Sequence, residues 1–299
     1  MLKGVIDCPE LPLNVSRSYL QNSGYVSKIS AHIVKKVGDK LSSLYNTARE
    51  EYEGFWQDIK TFILYGCLRD QKFYDRLKDI IIYKNTEGAY KTLGEYIGSD
   101  ASETINVYYT NSPSAQAVYV GMHRRAGREV LILENIIETQ FISLAEMKSD
   151  KPKIKFVRVD SDVENANPES SDNTELIELF REAAKSAGAG EKLKIEVSEL
   201  ADDKIPALLT LSEQSRRMAD MMKQYKMFDA NMAGLPDADN DETLVINAKN
   251  ALIQKLAKTK NREAAKYIYM LSLISKRELS AAELEDFIDS SIELCDKTV

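Results

Sequence analysis

Apolar residues in the first part of the chain recur at spacings of three and four, which is typical of amphipathic helices. A first helix is predicted over about residues 14–45, with a stripe formed by Val26, Ile29, Ile33, Val37, Leu41 and Leu44. A second helix contains Tyr52 to Ile63 and is expected to end near Gly66, because glycine is common just past a helix end. A third, shorter helix is predicted from Phe73 to Ile82.

From residue 106 the pattern changes to short apolar runs separated by helical segments. Strands are predicted at NVYYT (106–110), EVLILE (129–134) and KIKFVRV (153–159). One intervening helix is expected to begin at Asn111-Ser112-Pro113 and extend to about Arg125, and the other covers 137–147. This alternation predicts a small parallel sheet with right-handed crossovers.

The stretch 160–175 has a different composition, with six acidic residues and no lysine, arginine or aromatic residue. We interpret it as a solvated linker. Beyond it we predict a helix at 176–186, the strands KLKIEVSEL and IPALLTLS, a helix at 213–225, the strand ETLVINA and three further helices. The predicted fold class is α+β: a helical segment plus a small αβα unit over 1–159, then an α+β domain over 176–299 that ends in a helical bundle.

The last two helices each carry an apolar stripe. The first has an N-cap at Asn261, and the second has a capping box formed by Ser280 and Glu283. Their stripes comprise Tyr267, Met270, Leu271 and Ile274, and Leu284, Phe287, Ile288, Ser291, Leu294 and Cys295. A second copy related by a two-fold axis would complete a four-helix bundle. The alternative is that both stripes pack inside one subunit.

Composition excludes several function classes. The 299 residues are 43% hydrophobic and 29% charged, which is typical of about two soluble domains. A net charge of −7 argues against nucleic acid and anionic membranes as partners. The cysteines Cys8, Cys67 and Cys295 have no CxxC spacing and there are two histidines, so we expect no metal site, no disulfide framework and a reducing cytoplasm. GxGxxG, P-loop, GxSxG and HExxH motifs are absent from the sequence.

One cation occupies an unfavourable place. With Asn14 or the serine two residues later as N-cap, Arg17 falls in the first helical turn, at a cost of about 0.3–1 kcal/mol against the helix dipole. An external anion there would remove the conflict and bind the guanidinium, with Gln21 on the same face. The alternative is an ordinary ion pair with Asp7 or Glu10.

A methionine cluster is the second candidate site. Met218, Met221, Met222 and Tyr225 share one helical face. Because methionine is flexible and polarisable, such a face can adapt to varied protein partners. The alternative is a stripe of core residues with the same spacing.

Four long stretches carry a resemblance to a known family. They are GVIDCPELPLNVSRSYLQ (4–21), FWQDIKTFILYGCLRDQKFYDRLKDII (55–81), SEQSRRMADMMKQY (212–225) and ETLVINAKNALIQKLA (242–257). These strongly resemble the heat shock protein 90 chaperones in their bacterial form. The resemblance extends over essentially the whole chain and is weakest at 160–175.

The resemblance implies the later part of the family's middle domain followed by its C-terminal dimerisation domain. The family's ATP pocket has no counterpart, so Met1 is expected to lie inside a longer gene product. ATP with magnesium would be bound mainly by a domain absent here, and this chain is expected to hold no cofactor and to be inactive alone. The C-terminal CDKTV lacks the acidic tail of cytosolic eukaryotic relatives, which favours a bacterial cytoplasmic protein.

Matched positions receive roles by resemblance. Arg17 corresponds to the family's catalytic arginine, which contacts the γ-phosphate of ATP, and Asn14 and Gln21 shape the same loop. The Met218–Tyr225 helix corresponds to a client-binding segment, and the last two helices to the dimerisation bundle. Gln140 departs from the family, since some bacterial relatives have a client-contacting tryptophan there.

The expected function is therefore ATP-driven chaperoning by a homodimer that binds unfolded or partly folded client proteins, without nucleic acid or membrane partners. One rival is a passive dimeric scaffold with no ATP cycle. Another is an enzyme that binds a small molecule on the parallel sheet, with anions near Arg124 and Arg128. The second rival lacks the expected glycine-rich turn between strand and helix.

Overall fold

The computed structural model describes residues 24–100, 102–161, 173–190, 192–200, 202–211, 242–277 and 279–296. The chain forms two compact units, one from residues 1–105 and 133–156 and the other from 106–132 and 157–299. Most of the predicted linker at 160–175 lies outside the described residues, and the domain boundaries placed around it stay predictions.

Helices and strands alternate through both units. The helices are α1 (Gly24–Thr47), α2 (Arg49–Arg69), α3 (Gln71–Leu77), α4 (Leu93–Ile97), α5 (Ala117–Arg125), α6 (Ile136–Lys148), α7 (Thr174–Ser186), α8 (Ala251–Thr259), α9 (Arg262–Ile274) and α10 (Ala281–Asp296). The strands are β1 (Ile82–Lys84), β2 (Tyr90–Thr92), β3 (Thr104–Thr110), β4 (Val130–Ile132), β5 (Lys153–Arg158), β6 (Lys194–Ser198), β7 (Ala207–Leu211) and β8 (Glu242–Asn247). The predicted α+β class is confirmed.

The end of α2 differs from the sequence prediction. The helix continues past Gly66 to Arg69, and Asp70 then caps α3 by accepting the backbone N–H groups of Lys72 and Phe73 at 2.8 and 3.2 Å. Gly66 serves close packing, because a Cβ there would lie 2.8 Å from the Phe73 ring. It is therefore a contact point between α2 and α3, not a helix terminator.

The predicted third helix is too long. It ends at Leu77, and Ile82 begins β1, which pairs antiparallel with β2. The connecting turn is fixed by Asn85, whose Oδ1 accepts from the N–H groups of Glu87 and Ala89 at 3.0 and 2.8 Å, and by Gly88 at φ +91°. This hairpin was missed because its strands are three residues each, too short to show an alternation.

The predicted parallel sheet is present, with strand order β4-β3-β5. Its β3 and β4 run parallel, with Tyr108 opposite Val130. The helix between them starts at Ala117, six residues later than predicted, because Gln116 folds back to accept the Thr110 hydroxyl at 2.6 Å.

The third sheet carries the core that supports the terminal helices. Its order is β6-β8-β7, with β6 parallel and β7 antiparallel to β8. Phe180 of α7, Leu244 of β8 and Ile268 of α9 are buried in one cluster. The α9 helix thus buries one side against this sheet layer, while its other side is left for further contacts. None of the helices in the described ranges is long and apolar enough to cross a bilayer.

Candidate functional site

Two of the three predicted sites lie outside the described residues. These are the phosphate-contact residues Arg17, Asn14 and Gln21, and the methionine face of Met218, Met221, Met222 and Tyr225. Both stay predictions. The third site, the pair of terminal helices, is described and is built up below.

The start of α9 is fixed by Asn261, whose side chain accepts from the backbone N–H of Ala264 at 3.1 Å, as predicted. The helix then buries Ala265, Ile268, Tyr269 and Leu273 in the subunit core. Met270, which the sequence pattern assigned to a dimer interface, is 1% exposed and belongs to this buried side. The inward face of α9 therefore makes it a rigid support.

The start of α10 is fixed by the predicted capping box. The backbone N–H of Ser280 donates to Glu283 at 2.8 Å, and the N–H of Glu283 donates to the Ser280 hydroxyl at 3.4 Å. Arg277 donates two parallel hydrogen bonds to the same carboxylate, at 2.9 and 2.7 Å. The Arg277 guanidinium holds the pKa of Glu283 at about 2, so the carboxylate is ionised throughout the physiological range.

The two terminal helices contact each other through a ring stack and an ion pair. Tyr267 and Phe287 lie parallel, with an angle of 7° between their planes and 5.2 Å between centroids. Lys266 donates to Asp286 at 2.8 Å beside them. These contacts orient α10 and occupy two residues, Tyr267 and Phe287, that the sequence pattern had assigned to the interface.

The remaining apolar residues form an exposed surface, which we call the terminal apolar face. It comprises Leu271, Ile274, Leu284, Ile288 and Ile292, exposed by 37, 42, 48, 48 and 61%. In α10 the three residues follow one another at intervals of four, so they line one side of the helix. Nothing is described of the Leu294 side chain.

Ile292 is the member that sequence reasoning missed, although it is the most exposed. Its signal was its place four residues after Ile288 and eight after Leu284. The pattern gave preference to Ser291 and Leu294 because they continue the buried side that begins at Phe287. Periodicity detects an apolar stripe but does not tell its buried edge from its exposed edge.

The arginine-rich end of α5 does not present the free cationic cluster that the enzyme alternative requires. His123 is 1% exposed and lies 4.5 Å from the Tyr108 ring, which the Arg128 guanidinium also covers at 5.2 Å. Arg125 forms an ion pair with Asp202. Within the described ranges there is also no group of three or more His, Cys, Asp or Glu residues placed to hold a metal ion.

Comparison with known proteins identifies related sequences. The profile of the family described as "Hsp90 protein" matches residues 1–276. Proteins named chaperone protein HtpG are 32% identical over 280 residues in Bacteroides fragilis (strain YCH46), covering 89% of this chain and 40% of the relative, and 34% identical over 272 residues in Porphyromonas gingivalis (strain ATCC 33277), covering 86% and 39%. A more distant one, from Alcanivorax borkumensis, is 28% identical over 269 residues, covering 88% and 42%. The chain thus spans about 40% of the length of the relatives it matches.

Proposed function

Because the chain belongs to the Hsp90 protein family, we propose that it is part of an ATP-dependent molecular chaperone that binds unfolded or partly folded proteins as a homodimer. The observation that carries this proposal is the terminal apolar face, on two helices that are already capped and fixed to a core. A monomer with such a face would leave five large apolar side chains in water. A second copy of the same face is self-complementary about a two-fold axis and would cover them.

Replacing Ile288 with glutamate is expected to weaken dimerisation at least tenfold. Burying one isoleucine side chain contributes about 1.5–3 kcal/mol, and each 1.4 kcal/mol changes an affinity about tenfold. Sedimentation-velocity ultracentrifugation over a concentration series measures the change. Leu252→Glu is the matched control, since Leu252 is 49% exposed on α8, away from this face, and its replacement should leave the dissociation constant unchanged. A wild-type chain that stays at 33.7 kDa at micromolar concentration would overturn the homodimer.

The proposed link to ATP is Arg17. Its support is the matched 4–21 stretch together with the misplaced charge of Arg17 at a predicted helix start. In this proposal Arg17 contacts the γ-phosphate of ATP held by a nucleotide-binding domain elsewhere in the longer protein, and Asn14 and Gln21 shape its loop. Client contact is assigned by the same resemblance to Met218, Met221, Met222 and Tyr225.

We expect no ATP turnover by this chain alone. When it is joined to the family's nucleotide-binding domain, Arg17→Ala should lower kcat at least tenfold, because a guanidinium on a transferring phosphoryl group stabilises developing charge. Arg17→Lys, which keeps the charge but loses the planar fork, should fall between the two. Phosphate-release kinetics measure all three proteins. Turnover by the isolated chain that Arg17→Ala removes would contradict the proposal.

A further inference from the structure

A cavity of about 450 Å³ lies within the first unit, bounded by the ends of α3 and α6, by α4 and by the segment that leads into β5. Three aromatic side chains, Tyr74, Tyr83 and Phe141, line it, and each is more than nine-tenths buried. The Tyr74 and Phe141 rings are in contact, with centroids 6.0 Å apart. The cavity therefore has an aromatic floor and a volume within the range of small-molecule sites.

The hydroxyl of Tyr83 distinguishes this floor from ordinary core packing. It is buried and has no hydrogen-bond partner among the described residues. Two other buried tyrosines are satisfied: Tyr52 donates to the Ile80 carbonyl at 2.9 Å, and Tyr119 to the Leu209 carbonyl at 2.7 Å. A phenol removed from water without an acceptor is unfavourable, and most such groups in proteins are paired. Burial raises the pKa of Tyr83 well above its usual value, so the hydroxyl keeps its proton and needs an acceptor.

Charged side chains surround the mouth of the cavity. Lys78, Lys148 and Lys151 are exposed, and none forms an ion pair with a described residue. The acids of the same rim are Asp79 and Asp150, so the lysines outnumber them. An anionic group at the mouth would meet flexible ammonium groups, while the aromatic floor excludes charge below.

We propose that this cavity binds a small planar aromatic acid that also carries a hydrogen-bond acceptor. The ring lies on the floor of Tyr74, Tyr83 and Phe141, the acceptor receives the Tyr83 hydroxyl proton, and the carboxylate faces the rim lysines. The occupant is a small molecule and not a polypeptide, because the cavity volume matches a ligand of drug size.

Isothermal titration of the full chain with two probes tests this. The probes are 6-hydroxy-2-naphthoate, which has an acceptor opposite its carboxylate, and 2-naphthoate, which lacks it. Both should bind saturably at roughly 1 mM or tighter. Tyr83→Phe removes a hydroxyl without a partner, so the fold should persist. It should weaken only the hydroxylated probe, by roughly three- to tenfold, the effect of one hydrogen bond.

A second pair of variants examines the rim. Lys148→Gln should weaken both probes, whereas Lys72→Gln, an exposed lysine of α3 away from the cavity, should change neither. If neither probe binds saturably, or if Tyr83→Phe affects both probes equally or not at all, the proposal is wrong. Equal effects of Lys148→Gln and Lys72→Gln would overturn the role of the rim, and with it the anionic character of the ligand.

Discussion

Replacing Lys60 with methionine is expected to lower the free energy of unfolding by about 3–5 kcal/mol. Lys60 on α2 donates to Glu138 on α6 at 2.9 Å, and both side chains are less than a tenth exposed. Methionine keeps most of the side-chain volume, so the loss does not come from a cavity. It comes from the Glu138 carboxylate, which would stay buried without its cation.

Urea denaturation of the purified variants measures this loss. Lys60→Met combined with Glu138→Gln should recover much of it, since a neutral amide no longer needs the cation. Glutamine at this position can still accept the Asn135 backbone N–H, which Glu138 binds at 2.8 Å. Arg181→Met is the exposed control, because Arg181 pairs with Glu178 on the surface of α7 and should contribute less than about 1 kcal/mol. A loss below 1 kcal/mol for Lys60→Met would mean that water reaches the carboxylate.

The buried pair shows how far the sequence could predict this fold. Trp56, Lys60, Ile63 and Cys67 follow one helical stripe, so a lysine among core positions was visible in the pattern and indicated a buried charge. Its partner was not visible, because it lies 78 residues further along the chain. Local periodicity predicted helices α2 and α6 well. It could not predict which side chains meet between them.

The candidate site shows the same limit. The two apolar stripes and both helix starts at Asn261 and Ser280 followed from local rules, and the structure confirms both caps. The division of the stripes did not follow. Met270 is buried and Ile292 exposed because the sheet layer covers one side of α9, and only the fold determines which side that is.

Asn247 provides the second large effect, and no sequence motif pointed to it. It ends β8 with an exposure of 0%, and its side chain makes four hydrogen bonds. The Nδ2 group donates to the carbonyls of Asp202 and Ile205 at 2.9 and 2.8 Å. The Oδ1 atom accepts from the N–H groups of Leu200 and Lys249, both at 3.1 Å. One amide thus satisfies backbone groups on the connection between β6 and β7 as well as on its own turn.

We expect Asn247→Ala to lower the free energy of unfolding by about 4 kcal/mol, because each buried group left without a partner costs about 1–3 kcal/mol and relaxation of the turn recovers part of the sum. Thermal and urea unfolding measure the change. Asn46→Ala is the matched control: Asn46 donates one exposed hydrogen bond to the Ser42 carbonyl, and its loss should cost less than about 1 kcal/mol. Asn247→Asp keeps the acceptor but removes both donors, so it should be as damaging as alanine if the carbonyls of Asp202 and Ile205 carry the effect. A mild Asn247→Asp with a severe Asn247→Ala would instead assign the stability to the two accepted N–H bonds.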